Sequence, residues 1–103
     1  MSRNAYNKLS NYATTVSENA SGVCVVYHAT TIVRYTHNVI VLCTGGYYTV
    51  TTKKKMNQAS HQFNLGYSVY QRKGEWYVNY QGQTYQFDDN NTVTLQRYQQ
   101  HAA

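Results

Sequence analysis

The sequence predicts an α+β domain: a mostly antiparallel sheet of about six or seven strands with one central helix, near residues 52–63, packed on it. Three observations lead there. Runs rich in β-branched residues recur at hairpin spacing before residue 44 and again after residue 66. The stretch between them carries apolar residues at helical spacing. The last third contains two Xaa-Gly turns whose strand pairings select the same apolar face.

Residues 1–21 give no single answer. Leu9, Tyr12, Ala13 and Val16 recur at helical spacing, yet Ser10, Asn11, Thr14, Thr15 and Ser17 are weak helix formers. A short helix, a strand around Tyr12 to Val16 and a partly mobile arm all fit. From Gly22 the pattern sharpens into strands at Val23–Tyr27, Thr31–Tyr35 and Val39–Cys43, joined by hairpin-length connections. Val39-Ile40-Val41-Leu42 is apolar on both faces, which suits the middle of a sheet. Gly45-Gly46 then turns the chain into a short strand, Tyr47 to Val50.

Thr52 is the expected N-cap of the helix, with Lys53 its first residue. Met56, Ala59 and Phe63 then face the sheet, and Lys54, Asn57, Gln58 and His61 face water. Asn64 or Gly66 supplies the left-handed residue that ends it. Two-residue turns at Lys73-Gly74 and Gln81-Gly82 pair Tyr70 with Tyr77, Val69 with Val78, Val78 with Tyr85 and Trp76 with Phe87. Both registers place Tyr67, Val69, Trp76, Val78, Tyr85 and Phe87 on one face, and a slip of one residue would scramble it. Asp88–Asn91 is a turn and Thr92–Leu95 a final strand. The chain thus divides into an N-terminal segment (1–21), a domain (22–95) and a frayed tail (96–103).

The totals narrow the function. The 103 residues carry a net charge of +5 with only 13% charged residues, 12 tyrosines and no proline, so the aromatics can bury surface as a disordered tail cannot. No apolar run approaches the ~20 residues of a membrane helix, and no signal-peptide pattern opens the chain. Cys24 and Cys43 lack metal spacing; they are read as reduced strand residues, a cross-strand disulfide being the lesser alternative.

Catalysis finds little to work with. His28, His37, His61 and His101 are scattered, and four acids leave little room for acid–base chemistry. Gly45-Gly46 lacks the spacing of a P-loop. The expectation is therefore a non-enzyme with no cofactor and no metal.

Binding has more behind it. Lys53, Lys54 and Lys55 crowd a helix start that carries no acid, although lysine there is disfavoured by a few tenths of a kcal/mol. With the hydroxyls of Thr51 and Thr52 they could hold a phosphate. Tyr70, Tyr77 and Arg72 share the non-core face of the last meander, where aromatic rings can stack bases. The bland alternatives are lysines lying in screened solvent, and tyrosines that only stabilise the sheet by about 0.2–1 kcal/mol per pair.

Gly45-Gly46-Tyr47, Thr51-Thr52-Lys53, Met56-Asn57-Gln58, Gly66-Tyr67, Val69-Tyr70-Gln71, Trp76-Tyr77-Val78 and Gly82 resemble a family of small uncharacterised domains associated with bacteriophages. The likeness spans about Val26 to Leu95, and it brings no catalytic residue with it. It implies a virus-encoded accessory protein, and with no secretory signal or apolar span the expected location is the cytoplasm of the infected host cell. The leading expectation is a binding module for nucleic acid or a nucleotide. The rival is a protein-interaction module, such as an inhibitor of a host defence enzyme or a self-assembling structural protein. No membrane partner is expected, and oligomeric state, a homo-oligomer included, is left open.

Overall fold

The computed structural model describes residues 13–20 and 22–97. The β-branched runs form β1 (Thr14–Asn19), β2 (Gly22–Tyr27), β3 (Thr30–Tyr35) and β4 (Val39–Cys43). Helix α1 (Val50–Gln62) follows, then β5 (Tyr67–Arg72), β6 (Glu75–Tyr80), β7 (Gln83–Gln86) and β8 (Thr92–Gln96). All pairings are antiparallel. The class is the expected one, but the strands number eight among the described residues and form two sheets, β1-β2-β3-β4-β8 and β5-β6-β7.

Two strands account for the difference. β1 is the strand option for the N-terminal stretch, and five of its six residues are exposed, so its threonine- and serine-rich sequence carried almost no apolar signal. The options resting on residues before Ala13 lie outside the described residues. β8 returns across the whole helix–meander stretch to pair with β4, placing β4 inside its sheet. Tyr47–Val50 is no strand: Tyr47 to Thr49 are irregular and Val50 opens the helix. The expected tail also starts late. Gln96 closes β8, and Arg97 donates through its backbone N–H to Asn38 O (2.8 Å) and through Nη1 to Thr36 O (2.8 Å). The remaining tail, 98–103, lies outside the described residues.

The larger sheet's inner face consists of two cross-strand rows, Val25–Val33–Leu42–Val93 and Val23–Tyr35–Ile40–Leu95. The register shifts between Val25 and Val26, leaving Ile32 as an extra residue on β3. That bulge lets Ile32 and Val33 both be buried, which strict alternation forbids. Apart from Val23, these rows share one core with Met56 and Ala59 of α1 and with Tyr67, Val69, Trp76 and Val78 of the smaller sheet.

The meander has the predicted register throughout β5–β7. Lys73 and Gly74 (φ 53° and 83°) and Gln81 and Gly82 (φ 51° and 79°) have positive φ at both central turn positions, the twist that two-residue hairpins require. Phe87 falls just past β7, yet its ring still meets Trp76 edge-on at 6.1 Å.

The helix begins three residues earlier than expected. Thr49, not Thr52, is the N-cap: its backbone is extended and its Oγ1 accepts from the Thr52 N–H at 3.1 Å. Three threonines within residues 49–52 and a β-branched Val50 hid the true start. Asn64 (φ 55°) and Gly66 (φ 83°) both take the left-handed conformation beyond its end.

Of the four residues expected to face water, Lys54 and His61 are exposed, but the other two are not. Gln58 is buried and Asn57 half-buried, because α1 lies along the otherwise open edge of β5. Asn57 Nδ2 donates to Val69 O (2.9 Å) and its Oδ1 accepts from Val69 N–H (2.8 Å). One turn on, Ser60 Oγ donates to Tyr67 O (2.8 Å) and accepts from Tyr67 N–H (3.1 Å). Helix side chains thus occupy the hydrogen-bonding positions of a missing neighbour strand.

Tyr67 adds a third tie, donating its phenol O–H to Met56 O at 2.6 Å. Burial pushes this phenol far above its ordinary value. With the folded pKa above the unfolded one, its stabilisation is complete below about pH 10 and is lost as pH rises further, by about 1.4 kcal/mol per pH unit. Urea titrations between pH 9 and 11.5 are expected to show this fall, and Tyr67→Phe to flatten it. An equal slope in the variant would assign the alkaline loss to other groups. Lys55 acts in the opposite sense: its folded pKa is lowered, so it favours folding progressively as pH rises from that value toward 10.5.

Candidate functional site

Successive helical residues point about 100° apart, so three lysines in a row cannot share one direction. Because α1 starts at Val50, Lys53 is already its fourth residue, past the helix's most positive end. Its ammonium lies 3.4 Å from Gln71 Oε1 and 5.6 Å from the centre of the Trp76 ring. Lys54 is exposed. Lys55 is buried, with its Nζ 5.2 Å from the centre of the Tyr27 ring. Burial, and secondly the neighbouring Lys54 charge, hold its pKa below the ordinary lysine value.

The threonines divide similarly. Thr51 is exposed, whereas Thr52 is buried and its Oγ1 accepts from the Thr49 hydroxyl at 3.0 Å. The eight residues singled out from the sequence therefore do not converge on one anion. Lys55 and Thr52 turn inward, and the others stay at the surface.

A subset does meet. Val50, Lys53, Lys54 and Asn57 of α1 border a groove of about 340 Å³ whose other wall is Val69, Tyr70 and Gln71 of β5. The Tyr70 ring stacks on Tyr77 of β6, with centres 5.6 Å apart and planes 28° apart. Arg72 is exposed two residues along β5, on the same sheet face as Tyr70. The helix start and the tyrosine platform are neighbours for one reason: α1 is fastened along the edge of β5. Sequence alone could not supply that placement.

A second cavity, of about 390 Å³, opens beside the helix start and was not anticipated. One side comes from the end of β2 and from β3: Tyr27, His28, Thr30 and the bulged Ile32. The other comes from the turn and the first helical residues: Thr44, Tyr47, Thr49 and Thr52. Gly45 (φ 65°) packs so closely that an added Cβ would lie 2.8 Å from Thr30 Cγ2. The adjacent Thr44 fixes the turn, its Oγ1 accepting from Gly46 N–H at 3.1 Å. Tyr48 anchors the loop's far side, donating to Asn91 Oδ1 (2.9 Å) and standing edge-on to Trp76. Tyr47 remains 64% exposed at the rim. The sequence signal was there in the Gly-Gly-Tyr turn and its threonines, but the facing wall depends on a bulge that periodicity does not reveal.

Cys24 and Cys43 are half-buried free thiols on β2 and β4, with β3 between them, so the disulfide alternative does not form. No three His, Cys, Asp or Glu side chains gather as a metal site among the described residues. No helix of the described residues is long and apolar enough to cross a membrane.

Comparison with curated proteins and with solved structures yields no match. A family match does emerge, and it covers both the groove and the cavity. Residues 2–94 match the sequence model of the Kyanoviridae Gp96 protein, and the chain belongs to that phage protein family.

Proposed function

We propose that the protein is a non-enzymatic nucleic-acid-binding module of the infected cell's cytoplasm, which holds a single strand along the α1–β5 groove. One observation supports this reading above the rest: Lys53 and Lys54 border the same groove as Tyr70, which is stacked on Tyr77. Cations beside an aromatic platform suit a strand whose phosphates track the charge while its bases stack. Arg72 and the net charge of +5 extend the attraction beyond the groove. The groove is shallow and open, which favours a strand over a duplex or an enclosed nucleotide.

The test is fluorescence anisotropy with labelled single- and double-stranded oligonucleotides at 20–200 mM salt, a range of order the usual one for such titrations. Single strands are expected to bind more tightly, with affinity falling as salt rises. Lys54→Ala with Arg72→Ala, both at exposed positions, should flatten the logarithmic salt slope by about 0.7 per charge removed. Tyr70→Ala should weaken binding roughly 5- to 150-fold, the equivalent of about 1–3 kcal/mol of lost stacking. Undetectable binding of every oligonucleotide at the lowest salt would end this reading. A host-protein surface is the second reading, favoured by the exposed Tyr47 and Val50. A stoichiometric protein partner that survives nuclease treatment would decide for it.

A further inference from the structure

The cavity between the β2–β3 turn and the start of α1 is separate from the groove and differs from it in chemistry. Among the described residues no Lys, Arg, Asp or Glu borders it. Its volume of about 390 Å³ falls within the range of small-molecule sites, roughly 300–1,000 Å³. The walls are aromatic at Tyr27 and Tyr47 and aliphatic at Ile32.

The polar groups are hydroxyls with capacity left over. Thr44 Oγ1 already accepts from Gly46 N–H, and Thr52 Oγ1 from the Thr49 hydroxyl, so each retains a hydroxyl proton to donate. Both residues are about 1% exposed, and each hydroxyl already has one partner and capacity for a second. Thr30, at the rim, can both donate and accept. A flat ring carrying carbonyl or ring-nitrogen acceptors would meet all of these demands.

We infer that this cavity is a binding site for one neutral, nucleobase-sized heteroaromatic ring, held against Tyr27 and Tyr47 and addressed by the hydroxyls of Thr30, Thr44 and Thr52. The features that build it serve that end. The bulge brings Ile32 to the cavity. Gly45 lets the turn close on Thr30, and the Thr49 cap orients Thr52. The site does not rest on the groove, and an uncharged ligand gives it a separate test.

Free adenosine, guanosine, cytidine and uridine are titrated into the full chain by calorimetry and thermal shift, up to millimolar concentration. At least one is expected to bind at a single site, with affinity independent of salt and unchanged by Lys54→Ala with Arg72→Ala. Tyr47→Ala, which removes a mostly exposed ring, should weaken it about tenfold or more, and Thr30→Val should weaken it without unfolding the chain. The inference is overturned if no nucleoside binds, if binding persists unchanged in Tyr47→Ala, or if the groove variant abolishes it. Tighter binding of N-acetyl-tyrosinamide than of any nucleoside would overturn it in favour of a peptide ligand. Failure here leaves the oligonucleotide result standing, and the reverse also holds.

Discussion

Asn57→Leu is expected to cost about 3 kcal/mol and to lower the thermal midpoint by roughly 10–20 °C. Leucine matches asparagine closely in shape but offers neither donor nor acceptor. The Val69 N–H and carbonyl would both lose their partner, and Val69 is only 3% exposed. Each buried backbone group left unpaired costs about 1–3 kcal/mol. Added packing from leucine offsets part of that. Lys54→Ala, at an exposed position of the same helix, should change stability by less than about 0.5 kcal/mol. Thermal unfolding of the two variants beside the parent decides it. A loss below about 1 kcal/mol for Asn57→Leu would mean that water takes over the strand edge.

Gly22→Ala should be at least as damaging, at roughly 3–5 kcal/mol, because two costs combine there. The φ of Gly22 is 138°, a conformation that side-chain-bearing residues rarely adopt. An added Cβ would also lie 2.2 Å from the Tyr35 carbonyl oxygen, a backbone atom held in the β2–β3 pairing. Neither strand can withdraw without breaking the ladder. Gly74→Ala is the instructive comparison. Its φ is 83°, but nothing lies within 4 Å of the new atom, so only the conformational cost of about 1–2 kcal/mol applies. Urea unfolding of both variants separates strain from collision. Equal losses would remove the collision from the account.

Where the sequence could be read, local rules sufficed. The meander register followed from two glycine turns and an alternating apolar face, and neither needs knowledge of distant chain. The helix was legible as an element but not in its orientation. Asn57 and Gln58 look like solvent residues to any periodicity argument, and only the unpaired backbone of β5 explains why Asn57 points inward. The candidate site divided on the same ground. Lys53, Lys54 and Tyr70 meet because the helix follows that edge, whereas Lys55, one residue on, is carried around to Tyr27. The strand option at β1 could not be separated from its alternatives because an exposed edge strand needs no apolar pattern. The second cavity depends on the bulge at Ile32, which appears only once β2 and β3 are laid together.

The return of β8 to β4 has a bearing on how freely this chain can vary. Cys43 pairs with Thr92, and the Thr44 N–H donates to Asn91 O at 3.0 Å, so the whole excursion from Thr44 to Asn91 begins and ends at one clasp. Closing a flexible loop becomes more costly only with the logarithm of its length, about 0.6 kcal/mol for each doubling. The groove and the outer wall of the cavity both belong to that excursion. Insertions at its exposed turns can therefore reshape the groove or the cavity while the five-stranded framework beneath keeps its pairing.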